Sequence, residues 1–281
     1  MICIGSSRIY NSDSCNSVSY IKYKNDIRDT LLSIKKHLGE CGIAVTELTP
    51  EPTGTTYKEC NLLWVRDMFV MSGGRGLVLR GDRSSTEGQD RSKEYLITKG
   101  FLQSIPVKTT VLPISVKLEG GDVIQSSEGG VIFVGRGRRT NQAGIKWLRD
   151  KLEEPYPIKT IFHRALHLDC CFAVLGKRVF YSPQYIPKLP EWIYKHHFEV
   201  VSLEDVLGND VDHNLATNFI QTGPKELIIS DYREFSPFRK LLRRLGYRLR
   251  LVNTNRVRNF GGSIRCLTQW ITKPDGTYNS I

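Results

Sequence analysis

The apolar positions of the chain fall into a repeated order: a stripe at helical spacing, a glycine break, then a short alternating run. Ile27, Leu31, Ile34 and Leu38 recur every three or four residues, which sets them on one face of an α-helix. Gly39 and Gly42 end that pattern, and residues 43–48 (IAVTEL) alternate as a β-strand does. The copy near the C-terminus is sharper. Ser236 and Pro237 suit an N-cap and a first helical position, and Phe238, Leu241, Leu242 and Leu245 build one apolar face. Gly246 stops that helix, and residues 247–252 (YRLRLV) alternate. Residues 191–194 leading into 198–203 (FEVVSL) read as a third copy. The copies share little sequence identity, so the repeat is one of structure.

Polar residues keep a matching period. Asp67, Glu119, His167, Asn218 and Cys266 succeed one another at intervals of 48 to 52 residues, the kind of regularity that marks a repeat architecture. If each unit delivers one residue to the same point, all five meet around one axis. A thiol, an imidazole and two carboxylates facing a common cavity would make an active site.

Composition narrows the classes. A chain of 281 residues with 40% hydrophobic content can enclose a sizeable core, and no linker or low-complexity tract divides it, so residues 1–281 read as one compact domain. The N-terminus has no basic region followed by an apolar run, and no stretch approaches a membrane span. Seven cysteines without metal-like spacing read as reduced thiols, which points to a cytoplasmic protein without a membrane partner. The net charge of +11 leaves nucleic-acid binding open. Its densest patch, residues 239–250, has the leucine face and basic face of a solvated helix beside a strand, which is the simpler reading. Arg136, Arg138 and Arg139 form a second cluster after the strand-like VIFVG.

The residues that could carry chemistry sit in apolar surroundings. Cys266 comes after two glycines that allow close backbone approach, but a lone cysteine packs as a small hydrophobe unless a base is at hand. His167 alternates with Leu166 and Leu168, so on a strand His167 and Asp169 would project to one side. Asp67 lies in an apolar run broken only by Arg66, and Glu119 ends a strand before a Gly-Gly turn that also holds Asp122. Buried carboxylates need cations or strong donors, so an Arg66 pair for Asp67 and simple turn formation for Glu119 and Asp122 are the structural alternatives.

Taken in order, WVRD (64–67), LEGGD (118–122), GRRTN (137–141), HLDCCF (167–172) and GGSIRCLTQ (261–269) resemble the guanidino-group-modifying enzyme superfamily. Its members are the arginine deiminases, dimethylarginine dimethylaminohydrolases, agmatine deiminases and amidinotransferases. The resemblance runs from Asn61 to the C-terminus. It implies an α/β fold, a five-bladed propeller (pentein) of ββαβ-type units around a pseudo-fivefold axis.

The resemblance also implies roles. Cys266 would attack the guanidinium carbon to give a covalent thiouronium, and Asp67 and Asp169 would grip the guanidinium nitrogens. His167 would protonate the departing amine and then deprotonate water, with Glu119 orienting its imidazole. Arg139 would hold a substrate carboxylate; Arg80 and Arg91 would contribute from a closing loop, and Asn61 near the amino-acid end. No metal or cofactor is required. Asp169 favours an unsubstituted guanidinium, because methyl groups remove donors that a second carboxylate would accept. The expected activity is hydrolysis of arginine or a close relative such as dimethylarginine, a small-molecule guanidino substrate, to a ureido product. Arg265 departs from the histidine that many members carry before the nucleophile. Two alternatives are an amidinotransferase using the same residues and a noncatalytic basic binder on the same fold.

Overall fold

In a computed structural model of the protein, residues 1–5, 18–48, 60–80, 94–126, 130–152 and 156–271 are described. The chain opens with β1 (Ile2–Ile4), α1 (Val18–Glu40) and β2 (Val45–Glu47). Then come β3 (Phe69–Ser72), β4 (Arg75–Val78), α2 (Glu94–Gln103) and β5 (Lys108–Val111), followed by β6 (Val123–Ser126), β7 (Val131–Arg136), α3 (Gln142–Lys151) and β8 (Ile158–Phe162). A further unit has β9 (Phe172–Leu175), β10 (Arg178–Tyr181), α4 (Glu191–Lys195) and β11 (Glu199–Ser202), with α5 (Leu203–Leu207) after it. The last holds β12 (Ile220–Gly223), β13 (Glu226–Ser230), α6 (Ser236–Arg244) and β14 (Arg248–Val252), and β15 (Thr268–Trp270) ends the series.

Among the described residues these strands form five three-stranded sheets with one topology. In each, two strands pair antiparallel and the third joins in parallel after a helix, as parallel neighbours require a crossover. The fifth ββαβ unit is made from both ends of the chain: β15 pairs antiparallel with β1, and β1 pairs parallel with β2. The five-unit architecture expected from the period is therefore present.

Strands buried on both faces tie the units into a ring. On β7, Val131 and Phe133 pack toward Phe172 and Val179 of the next sheet, while Ile132 and Val134 pack toward Val70 and Leu77 of the previous one. The remaining interfaces join Met71 and Val78 to Cys3, Phe180 to Leu227 and Ile229, and Ile228 and Val252 to Ile2 and Ile4. That last cluster closes the circle, with Ile27, Leu31, Ile34 and Leu38 of α1 buried in it as their spacing predicts. Alternation along a strand thus serves two hydrophobic interfaces rather than one dry and one wet face.

Two local expectations change. Ser236 is the first residue inside α6 rather than its cap, because the helical turn Arg233–Phe235 runs directly into that helix. The basic patch is also less available than its sequence suggests. Arg239 is buried and donates to the carbonyls of Ser230 and Tyr232, and Arg250 pairs with Glu226 and Glu40. Gly246 takes φ +83°, the left-handed conformation that ends a helix without a Cβ clash. Among the described residues no helix is long and apolar enough to cross a membrane.

Candidate active site

Each sheet is preceded by a tight turn, and the periodic polar residues sit on those turns. Asp67 ends the helical turn Val65–Asp67 before β3, Glu119 precedes the turn Gly120–Asp122 before β6, and His167 precedes the turn Leu168–Cys170 before β9. Asn218 comes just after the turn at 214–217 before β12, and Cys266 lies in the turn at 264–267 before β15. The period is real but its register is loose: Asp67 holds the last place of its turn, where the next two units have Asp122 and Cys170. His167 is extended (φ −133°, ψ 162°), yet Asp169 is already in the turn, so the two do not share a strand face. Turn geometry, not strand alternation, brings both inward.

His167 lies between two carboxylates. Its Nε2 donates to Glu119 Oε2 at 2.6 Å, and its Nδ1 is 3.5 Å from Asp67 Oδ1. Burial alone would lower the imidazole's pKa, but Asp67, Glu119 and Asp122 outweigh it and hold His167 well above its ordinary value. Arg139 Nη1 donates to Glu119 Oε1 at 3.3 Å, so the orienting carboxylate is fixed on both oxygens. Gly121 makes room for the ring: a Cβ there would lie 2.7 Å from His167 Cγ.

Asp122 is not a simple turn former. It is fully buried and accepts hydrogen bonds from the Leu168 amide at 2.8 Å and Thr140 Oγ1 at 2.6 Å, with His163 Nε2 at 3.0 Å. It thereby clamps the His167 turn to the neighbouring unit. The sequence places Asp122 in LEGGD and Thr140 in GRRTN without linking them, because their contact exists only after the hairpin and helix have folded.

Around Cys266 a second set converges. Asn218 Nδ2 donates to Cys266 Sγ at 3.2 Å, and Asn218 Oδ1 accepts from the Arg265 amide at 2.8 Å, giving Asn218 a definite task that the sequence supports only by period. The Arg66 amide donates to the Cys266 carbonyl at 3.3 Å, joining the Asp67 turn to the thiol's turn. Asp169 is fully buried, with Arg66 Nε 3.8 Å and Arg265 Nε 3.7 Å from its Oδ2. Burial raises the Asp169 pKa while the two guanidiniums oppose that rise. Arg66 does not pair off Asp67, the simplest arrangement for neighbours in sequence. Its Nη1 donates to Gln269 and its Nη2 to the Val123 carbonyl, and burial and the Arg265 charge pull its pKa down to about 9. The Cys170 thiol donates to Asp169 Oδ1 at 3.6 Å, and its interaction with Cys266 together with burial pushes its pKa well up.

Other expected residues stand apart. Arg80 donates to the Leu112 carbonyl at 2.9 Å and stacks on Tyr95, with no hydrogen bond or ion pair to this cluster among the described residues. Arg91 and the side chain of Asn61 lie outside the described residues. Among the described residues two groups could hold a cation: His167, Asp169 and Cys170, and Asp67, Glu119 and His167, each with ligand atoms within 4.8 Å of one another. Glu119 already faces His167 and Arg139, and Asp169 faces Arg66 and Arg265. The arrangement is charge-balanced by its own cations and suits proton transfer beside a thiol.

The sequence pattern of the arginine deiminases matches residues 58–229. No curated protein matches the chain in sequence. In structure it is similar to SxtG, an amidinotransferase from Microseira wollei in the saxitoxin biosynthetic pathway (17% identity, 99% of this chain and 95% of that one, TM-score 0.74). It is similar to the N-terminal domain of ArgZ, an arginine dihydrolase of the cyanobacterial ornithine-ammonia cycle (16%, 97% of each chain, 0.76). It also resembles DDAH from Pseudomonas aeruginosa (18%, 95% and 97%, 0.72). These likenesses bear out the five-bladed α/β propeller, the pentein fold of the guanidino-group-modifying superfamily. With more than half its length matched by one family's pattern, the chain belongs to the arginine deiminase family.

Proposed function

We propose that the protein is a cysteine-dependent hydrolase of a guanidino compound, arginine or a close relative such as dimethylarginine. The observation that carries this reading is the His167–Glu119 hydrogen bond of 2.6 Å, with Asp67 on the other ring nitrogen, in one cluster with the buried Asp169 and Cys266. A planar guanidinium offers paired N–H donors, which Asp67 and Asp169 would accept, aligning its carbon with sulfur. Cys266 Sγ bonds to that carbon as a thiolate, and the tetrahedral species collapses as ammonia or an amine leaves with a proton from His167. Water then adds to the thiouronium while His167 takes its proton, and the C–S bond breaks to return the thiolate and a ureido product. The Asn218 N–H donates to a sulfur that gains and loses negative charge through this cycle, and hydrogen bonds to charged acceptors are the stronger ones. The neighbours support the substrate class: ArgZ is an arginine dihydrolase, and the Pseudomonas DDAH was captured with citrulline.

The test is incubation of the protein with arginine, dimethylarginine and agmatine in turn, measuring ureido product and released amine. Product that vanishes in Cys266→Ala, with the fold intact, is expected; comparable turnover in that variant would remove the covalent mechanism. Similarity to SxtG over 99% of the chain keeps one second reading, amidino transfer, in which an amine replaces water. Transfer of the amidino group to added glycine or ornithine would establish it.

A further inference from the structure

Two guanidiniums of the protein's own face the carboxylate that the proposed mechanism offers to the substrate. They are held very differently. Arg66 is locked: its side chain is 3% exposed, and both terminal nitrogens donate, to Gln269 and to the Val123 carbonyl. Among the described residues, Arg265 is fixed only through its backbone, by the Asn218 side chain on its amide and by Thr268, whose amide donates to its carbonyl at 3.1 Å. Its side chain is 21% exposed, and its Nε has no hydrogen-bond partner. At 3.7 Å from Asp169 Oδ2 that nitrogen is within ion-pair distance but beyond a hydrogen bond, and Oδ2 itself accepts none.

We infer that Arg265 is a specificity-determining residue: its guanidinium occupies Asp169 in the free protein, and an incoming planar cation must displace it toward solvent to be gripped. The inference rests on the reading that Asp169 receives the substrate guanidinium. A backbone pinned on both sides leaves the side-chain torsions as the moving part, and the exposed side of Arg265 gives them somewhere to go. Burial lowers the pKa of Arg265 against the pull of Asp169 and Cys266, so turning outward recovers hydration that the inward position gives up. Arg66 cannot do the same without stranding Gln269 and the Val123 carbonyl. The consequence is discrimination: a ligand with two parallel N–H donors can replace the single long contact of Arg265 with a bidentate one, whereas a compact ammonium cannot.

The experiment uses alkylation of Cys266, which needs no turnover. Chloroacetamidine, a planar cation, and chloroacetamide, its neutral counterpart, both form an S–C bond while chloride leaves with the bonding pair and the thiol proton is lost to solvent. Second-order rates at Cys266, located by mass spectrometry, give a cation preference for each protein. Arg265→Gln is expected to raise that preference at least about tenfold over wild type, because the competitor is gone. Arg265→Lys keeps a charge beside Asp169 and is expected to stay close to wild type. An unchanged preference in Arg265→Gln overturns the inference while leaving the proposed function standing, provided Asp169→Asn lowers the preference. No effect of Asp169→Asn in any background overturns both. A second measurement needs no variant: millimolar guanidinium ion should shift the Arg265 Nε–H resonance and leave that of Arg66 in place. Equal response of both, or of neither, counts against Arg265 as the moving group.

Discussion

Replacing Gly121 by alanine tests the placement of His167 more directly than replacing the histidine. A Cβ at Gly121 would lie 2.7 Å from His167 Cγ and 2.9 Å from both its Cβ and Nδ1. Carbon atoms rest at roughly 3.5–4.0 Å, so the ring must move by about 1 Å. It has no slack, being 3% exposed and already 2.6 Å from Glu119 Oε2. A shift of that size stretches the hydrogen bond past its useful range. Overpacking costs about 1–3 kcal/mol and a hydrogen bond to a charged group contributes about 1.5–3 kcal/mol, which together set a destabilisation on the order of 3 kcal/mol. At about 2–4 °C per kcal/mol, the melting temperature should fall by roughly 6–12 °C. Misplacement of about 1 Å should also reduce turnover of a guanidino substrate by about 10²-fold. Gly100→Ala is the control. It is the same chemical change inside α2, with nothing within 4 Å of the new Cβ, and should stabilise by about 0.5–1 kcal/mol. Differential scanning calorimetry of the two variants, with the His167 ring monitored by NMR, gives the comparison. A Gly121→Ala protein as stable and active as wild type would refute the cradle.

Other substitutions probe other parts of the cluster. The raised pKa of His167 means that its contribution to stability is fully present below the unfolded value of about 6.5 and is lost as pH rises through the folded value. The gap in unfolding free energy between wild type and Glu119→Gln should therefore narrow as pH rises above about 6.5 in urea titrations; a constant gap would mean that Glu119 does not hold the imidazole proton. Asp122→Ala removes the carboxylate that secures Leu168, Thr140 and His163, and should cost about 3–5 kcal/mol. A cost below about 1 kcal/mol would return Asp122 to the status of a solvated turn residue. Asn218→Ala deletes the N–H at 3.2 Å from Cys266 Sγ and should lower kcat by about 10- to 100-fold with little change in KM, and a pure KM effect would contradict a role at sulfur.

The parts of this molecule that a sequence displays are those governed by local periodicity. Ile27 to Leu38 and Phe238 to Leu245 show their helices because each stripe faces a single apolar cluster. β15 gives no such signal. It is three residues long, and its partner β1 lies at the other end of the chain. The site divides the same way. The five polar residues are legible from their period because each unit presents a turn at the same place, but their partners are not. Asn218 with Cys266 and Arg265 with Asp169 are contacts between units, fixed only when the ring of sheets closes, and Asp122 meets Thr140 within one unit only after its hairpin has folded.

Arg265 is where that division bears on selectivity. Its identity beside the thiol is plain in the sequence, but neither its direction nor its neighbours are. A guanidinium turned to solvent would leave Asp169 with one fixed partner, Arg66, and an oxygen ready for a substrate. Turned inward, it makes a charge-balanced cluster whose Asp169 must change partners before a substrate can bind. Neutral surroundings reduce the long-range pull on a cation, so selectivity has to come from the bidentate geometry gained at close range. Charge-neutralising changes at Arg265 should therefore strengthen binding of all cations and narrow the difference between a guanidinium and a simple ammonium.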